Sequence, residues 1–453
     1  MSKRNIILIV IILLVITIGA FVFFYLYRPT SQGGIITDSV NFLSDFLPFG
    51  NNKNTNTGDT TQPVDVSGYV QTPEIDTQNL ILKKISSFPI AGYGIFMKER
   101  FKDIADPIEE ALLSPTGEDK ASSTTKPVAP PTEFVPTLRY VNKATGNIYQ
   151  TFADRIDERR FSTTTIPKVY EAFFGNKGES VVMRYLKTDL SAQAGNQTIE
   201  TFVGTLPKEY LGADSIGTDE VKGSFLPENI SDVSISPDTQ KIFYLFNVGD
   251  NAVGITYSIQ SNTKVQVFDS SFTEWLSLWP NEKNITVTTK PSYNVPGYVY
   301  IINVDKKDFT KILGGINGLT TLTSPNGKII LYGDNNLSLN LYNTDTGDSS
   351  SVGIKTLPEK CIWNSSSDVI YCAVPKYIDR VGYPDAWYQG EVSFSDEIWK
   401  IDVQSGNTTK ILDPISIEGG EDIDGIKLNL DENQNFLFFV NKKDSYLWEL
   451  QLK

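Results

Sequence analysis

Two stretches decide how this chain reads: ISPDTQKIF at residues 235–243 and LTSPNGKIIL at residues 322–331. In each, a short apolar run enters a polar turn and a second apolar run leaves it, which is the signature of a β-hairpin. The pattern recurs as FFGNKGESVV (173–182), LWPNEKNITV (278–287), IWNSSSDVIY (362–371) and LDENQNFL (430–437). With Asn176, Asp238, Asn281, Asn326, Ser366 and Glu432 as markers, the spacings are 62, 43, 45, 40 and 66 residues. Three of these five match the ~40–45 residues of a four-stranded propeller blade, and the two long ones carry insertions. Two further strands follow each hairpin, as in Gly254–Gln260 then Lys264–Asp269, or Ile398–Val403 then Thr409–Asp413. One such sheet cannot bury both of its faces alone, whereas sheets stacked radially bury them against neighbours. The reading is an all-β, seven-bladed β-propeller over residues 79–453, with six or eight blades as alternatives. It closes where Leu80–Ser86 pairs with Tyr446–Leu452 and removes an open sheet edge.

The segments Ser236–Phe243 and Ser324–Ile330 resemble the S-P-D-G-K-x-I repeat of WD40-like, TolB-type propellers. ISSFPIAGYG (85–94), RYVNKATGNIY (139–149), TTIPKVYEAFF (164–174) and YPDAWYQGEVSFSD (383–396) are similar to uncharacterised membrane-anchored propellers of bacterial candidate phyla. The resemblance covers residues 80–453 and implies an architecture. It implies no activity.

Outward from the repeat, the N-terminal sequence differs in kind. Ile6–Tyr27 is 22 residues without a charge, long enough as a helix to cross a ~30 Å hydrocarbon core. Aromatic residues gather at its end, and Lys3 and Arg4 precede it. This predicts an uncleaved single-pass anchor (residues 1–28) in the cell membrane, N-terminus cytoplasmic and propeller extracytoplasmic. Residues 29–78 have the Asn/Thr/Gly/Ser composition of a tether, interrupted by Ile35, Ile36, Val40, Leu43, Phe46 and Leu47 at the spacing of a short amphipathic helix. An insertion spans 98–136, with a helix-like start at Phe101–Leu112. If each blade runs from an inner strand a to an outer strand d, this a–b insertion faces the membrane. The expected d–a insertion 207–229, the d–a loop 414–424 and the b–c insertion 375–395 then lie on the free face.

Composition excludes several chemistries. The chain has no histidine and two cysteines, so His-dependent triads, His metal ligands and thiolate zinc sites are ruled out. The formal net charge is −14 and only Lys3, Arg4 and Arg28 are charged within the first 28 residues, which leaves −17 for the remainder. So acidic a domain repels phosphate backbones, and nucleic acid is not an expected partner.

Three constellations stand out. Centring the 362–371 hairpin on Ser366–Ser367 places Cys361 opposite Cys372, in reach of a disulfide; two packed thiols are the alternative. The b–c insertion carries Tyr377, Arg380, Tyr383, Trp387, Tyr388 and Phe394, suited to a partner-binding surface or to a loop that caps the disc with its own aromatics. Glu418, Glu421, Asp422 and Asp424 surround three glycines and offer oxygens to Ca²⁺, although the spacing is not that of an EF-hand and a solvated acidic turn explains it as well. No other cofactor is indicated.

Together these features predict a non-enzymatic envelope module that binds a protein or glycan through its free face. The alternative is an extracytoplasmic carboxylate-based hydrolase of glycosidase type, for which two acidic side chains would have to converge at the channel mouth with raised pKa values.

Overall fold

The computed structural model describes residues 80–102, 130–188, 197–209 and 220–452. The expected anchor at 6–27, the linker with its amphipathic helix, and most of the first insertion lie outside these residues. Among the described residues no helix is long and apolar enough to cross a membrane.

The described chain forms seven four-stranded antiparallel sheets. Blades one to six are each built from consecutive strands. Blade seven takes its inner three strands, Gly425–Leu430, Phe436–Asn441 and Leu447–Gln451, from the end of the chain, and its outer strand, Leu82–Lys84, from the start. The clasp is in register Leu82 to Leu450, Lys83 to Glu449 and Lys84 to Trp448. The core is correspondingly a ring of blade–blade interfaces. Leu138, Tyr140 and Ile90 of blade one meet Phe438, Val440 and Leu447 of blade seven, and Val141, Ile148 and Phe161 on the other face of blade one meet Val169, Val181 and Met183 of blade two. Each fully buried aliphatic or aromatic side chain at these interfaces contributes on the order of 1.5–3 kcal/mol.

The hairpin turns explain why the repeat is only partly visible as sequence. Ser236 Oγ accepts from Lys241 N at 2.9 Å, Ser324 Oγ from Ile329 N at 3.0 Å, Asn364 Oδ1 from Val369 N at 3.1 Å and Asp431 Oδ1 from Phe436 N at 2.7 Å. In every case a side-chain oxygen satisfies the backbone donor five residues on. In every case the residue at the third position is left-handed: Thr239, Gly327, Ser367 and Gln434. Serine, asparagine and aspartate all supply that oxygen, so the turn is conserved in geometry while its letters vary.

The cysteine register is as the hairpin predicts. Cys361 pairs with Cys372, Ile362 with Tyr371 and Trp363 with Ile370, and the two sulfurs are bonded. Both cysteines are buried. With the partners 11 residues apart, the loop-closure model gives a stabilisation of about 3 kcal/mol. Cys361→Ala/Cys372→Ala should lower the unfolding free energy in urea by about that amount; equal midpoints for the variant and the oxidised chain would contradict it.

Two expectations about connections are corrected. The segment 207–229 is not a d–a insertion, because Lys222–Phe225 within it pairs with Gln197–Thr205 as the outer strand of blade two. Leu206–Glu209 therefore leave strand c, and Glu220–Val221 enter strand d, on the side of the disc where the a–b hairpins turn. The a–b insertion is also shorter than 98–136. Its arms continue as strands Ile90–Phe101 and Thr132–Asn142, paired out to Phe101 and Thr132, so Phe101 is in a strand and not the start of a helix.

Candidate binding face

The d–a and b–c connections collect on one side of the disc. The b–c insertion of blade six leaves strand Val369–Pro375, makes one helical turn at Asp385–Tyr388 and returns in strand Asp396–Asp402. Its aromatics divide into two sets. Tyr383, Trp387 and Phe394 are buried and pack with Leu337 and Leu357 from neighbouring connections, with the rings of Trp387 and Phe394 stacked at 6.1 Å between centroids. Tyr377 is 83% exposed and Tyr388 38%, and Arg380 is also exposed. The structure thus brings the six candidate residues into one insertion, three as a self-packed cap and three on its outer surface.

A buried ionic group holds the cap down. Lys360, fully buried in the d–a connection before strand Cys361–Trp363, donates to Asp396 Oδ2 at 2.7 Å, to Gly425 O at 3.1 Å, and to Asp424 Oδ1. Asp424 also accepts from Trp387 Nε1 at 2.9 Å, Phe394 N at 3.0 Å and Ser393 Oγ at 3.1 Å. Burial alone would raise its pKa, but the Lys360 ammonium and these donors outweigh it and hold the carboxyl below its ordinary range. Asp396 is different. Burial pushes it up to about 6, against the pull of Lys360 and with the charge of Asp424 adding to the rise. One ammonium between two desolvated carboxylates explains the asymmetry. On the far side Lys442 Nζ donates to Trp387 O at 2.8 Å.

Further contacts fix the insertion to its neighbours. Asp385 Oδ2 accepts from Ser292 Oγ at 3.0 Å and Tyr293 N at 2.9 Å, tying the helical turn to the b–c loop of blade four. Lys376 bonds Asp413 at 2.7 Å, beside exposed Ile415. Beside the Asp385 contact, Tyr293 and Val295 are exposed, and Tyr293 lies directly against Gly382, where an added Cβ would come within 3.1 Å of its ring. An exposed rim of Tyr377, Arg380, Val381, Tyr388, Tyr293 and Val295 therefore stands on a rigid base. Within it Tyr388 donates its hydroxyl to Glu359, whose pKa is raised to about 7, by burial against the opposing effect of that hydrogen bond.

The acidic candidates do not share a centre. Glu421 pairs with Lys84 at 2.6 Å, Asp422 with Lys443, and Asp424 with Lys360, while Glu418 is exposed. Among the described residues no three metal-ligating side chains are grouped.

Lys360, Asp396 and Glu359 were not among the residues singled out from sequence. A lysine in PEKCIW and an aspartate in FSDEIW look like ordinary solvated charges, and only the ring, which brings residues 360, 396 and 424 together, buries them.

No family model matches the chain, and no curated protein sequence does. Among solved structures it is similar to an oligogalacturonate lyase from Vibrio parahaemolyticus, with 9% identity, 70% of this chain and 86% of that chain covered, and a TM-score of 0.43. A second similar structure, described as an oligogalacturonate lyase in complex with manganese, has 8% identity, covers 70% and 85% of the two chains, and gives a TM-score of 0.43. A puromycin-hydrolysing peptidase of Mycobacterium tuberculosis has 11% identity, with 68% of this chain and 48% of that chain covered and a TM-score of 0.42. The propeller assignment rests on the sheet topology described above.

Proposed function

We propose that this chain is a membrane-anchored, extracytoplasmic propeller of the WD40-like, TolB-type class, and that it binds a protein partner through the rim of the b–c insertion. The observation that carries the reading is the division of the insertion into a clamped aromatic base and an exposed rim of Tyr377, Arg380 and Tyr388. Tyrosine and arginine are the residues that most often dominate protein contacts, and a rigid base spares the entropic cost of ordering a loop on binding. A protein is favoured over a glycan because Val295, Val381 and Ile415 are exposed around the rim, and aliphatic groups offer nothing to sugar hydroxyls. The uncharged run at 6–27 supports the tether and its orientation.

A photo-crosslinking residue placed at position 377 of the full-length chain tests this in intact cells. A discrete protein adduct is expected at 377 and not at exposed Val265, by the c–d turn of blade three on the other side of the disc, and Arg380→Ala should reduce it about 30-fold, the equivalent of a 2 kcal/mol contact residue. Equal adducts at the two positions would refute the assignment, and a glycan adduct at 377 would replace the partner class.

Glu359 favours carboxylate-based hydrolysis as a second reading, since a carboxyl with pKa about 7 is poised to donate a proton near neutral pH. That chemistry requires a second carboxylate about 5–9.5 Å away and open to substrate. Of the other acids raised on this face, Asp396 is sealed beneath the cap and bonded to Lys360 and to Gly425 N, and Asp232 is buried, its Oδ2 accepting from Ser277 N and Oγ. Binding is therefore the better-supported reading.

A further inference from the structure

On the opposite side of the disc, blade one presents a row of basic side chains to blade two. Arg139, Gln150 and Arg159 are directly opposite one another across three successive strands, and Lys98 on the inner strand faces the same way. Two guanidinium groups and an ammonium lined up at one blade interface repel one another and require an anion. Among the described residues of blade two, Glu209 from the c–d connection bonds all three, and Glu179 from the first hairpin adds its charge near Arg139. Glu209 Oε2 accepts from Arg139 at 2.8 Å and from Lys98, and its Oε1 accepts from Arg159, with Gln150 Nε2 at 3.5 Å. Burial alone would raise the Glu209 pKa, but the three cations outweigh it and hold the carboxyl below its ordinary range.

What distinguishes this cluster from a structural ion pair is that its main donor is positioned without Glu209. The Arg139 guanidinium lies between the rings of Phe161 and Phe96, at 4.0 and 4.8 Å from their centroids. Its Nε donates to Gln150 Oε1 at 2.8 Å and its Nη1 to Gly178 O. The remaining Nη2 points at the carboxylate. Glu209 reaches the cluster through its side chain. The Arg159 side chain is 40% exposed and that of Lys98 22%, so the socket opens to solvent on that side. Three cations outnumber the acids described beside them, Glu209 and at longer range Glu179, in a chain of net charge −14.

We propose that Lys98, Arg139 and Arg159 form a carboxylate-binding site that Glu209 fills in cis and that a ligand carboxylate enters by displacing it. The ligand chemistry is an anionic carboxylate, from a free organic acid or from an acidic side chain of a polypeptide. Fixed guanidinium donors recognise such a group in a bidentate manner.

Binding of citrate and of a Glu-Glu-Glu peptide to the full-length chain is measured by calorimetry at constant ionic strength. Glu209→Gln should bind at least one of them tenfold or more tightly than the native chain, and Arg159→Gln added to it should abolish the gain. A gain with citrate alone assigns an organic acid, and a gain with the peptide alone an acidic polypeptide. Glu209→Asp, which keeps the charge but withdraws it by one methylene, serves as a second variant and should gain affinity to a smaller degree. No saturable binding to either variant, or equal affinity with and without Arg159→Gln, would overturn the proposal.

Discussion

Lys360→Met should destabilise the domain by about 3–5 kcal/mol at neutral pH, the cost of removing one partner from a buried ionic group. In the native chain the ammonium is fully buried and bonds two carboxylates that are buried with it. Methionine fills much of the volume but leaves Asp396 and Asp424 facing each other without a counter-charge. Asp424 keeps Trp387, Ser393 and Phe394 N as donors, and Asp396 keeps only Gly425 N, since its Oδ1 is buried without a partner among the described residues. The loss should therefore fall mainly on Asp396. Adding Asp396→Asn to Lys360→Met removes that charge and should recover part of the stability, giving a coupling energy of about 1–3 kcal/mol in a double-mutant cycle. Urea unfolding of the four proteins measures it. A Lys360→Met penalty below about 1 kcal/mol would mean that water reaches the group and that the cap is not clamped. The outcome bears on function as well, because Asp424 fixes Trp387 and Phe394, which in turn carry the exposed rim.

The parts of this molecule that were legible in its sequence are those set by neighbouring residues. The hairpins at Ser236, Ser324, Asn364 and Asp431 each depend on one side chain and a donor five residues later, so the blade period and the register of Cys361 with Cys372 follow from local chemistry, while the count of seven over six or eight is settled by the sheet topology. Ring closure was legible because an unpaired edge at Leu447–Gln451 needs a partner and Leu80–Ser86 reads like the outer strand at Lys410–Asp413. Strand Lys222–Phe225 was not, since KGSF has no β-branched residue and all four positions are exposed; pairing with Phe202–Thr205 makes it a strand. Burial within the b–c insertion was also illegible. Tyr383, Trp387 and Phe394 have the same local character as Tyr377 and Tyr388, and what separates them is packing on Leu337 and Leu357 and, for Trp387 and Phe394, the bond to Asp424, all distant in sequence. The carboxylate socket of blade one was hidden for the same reason, as its anion comes from a different blade than its cations.

Glu449→Gln should stabilise the clasp at neutral pH, and the gain should grow as the pH rises. Glu449 sits on strand Leu447–Gln451 between Phe438 and Lys83, is 2% exposed, and its Oε2 accepts no hydrogen bond among the described residues. Burial raises its pKa to about 8; the charges of Asp154 and Asp431 add to the rise and Lys83 opposes it. The folded pKa lies above the ordinary value of 4.5, so the native state retains a proton that the unfolded chain releases. Below pH ~4.5 both states are protonated and the group is neutral to stability. Between that point and about 8 the native state loses up to about 1.4 kcal/mol per pH unit relative to the unfolded chain, and above 8 the loss levels off. By pH 7 the upper bound is about 3 kcal/mol, although part of it is relieved wherever the strand pair opens to water. Glutamine keeps the shape and cannot ionise, so the variant and the native chain should melt together near pH 4.5 and diverge steadily up to pH 8. A difference independent of pH would show that the Glu449 carboxyl ionises alike in the folded and unfolded chains and would refute the raised pKa. If Lys83 instead neutralised an ionised Glu449 across the clasp, the native chain would gain on the variant as the pH rises towards 4.5, because a depressed carboxyl pKa reverses the sign of the linkage.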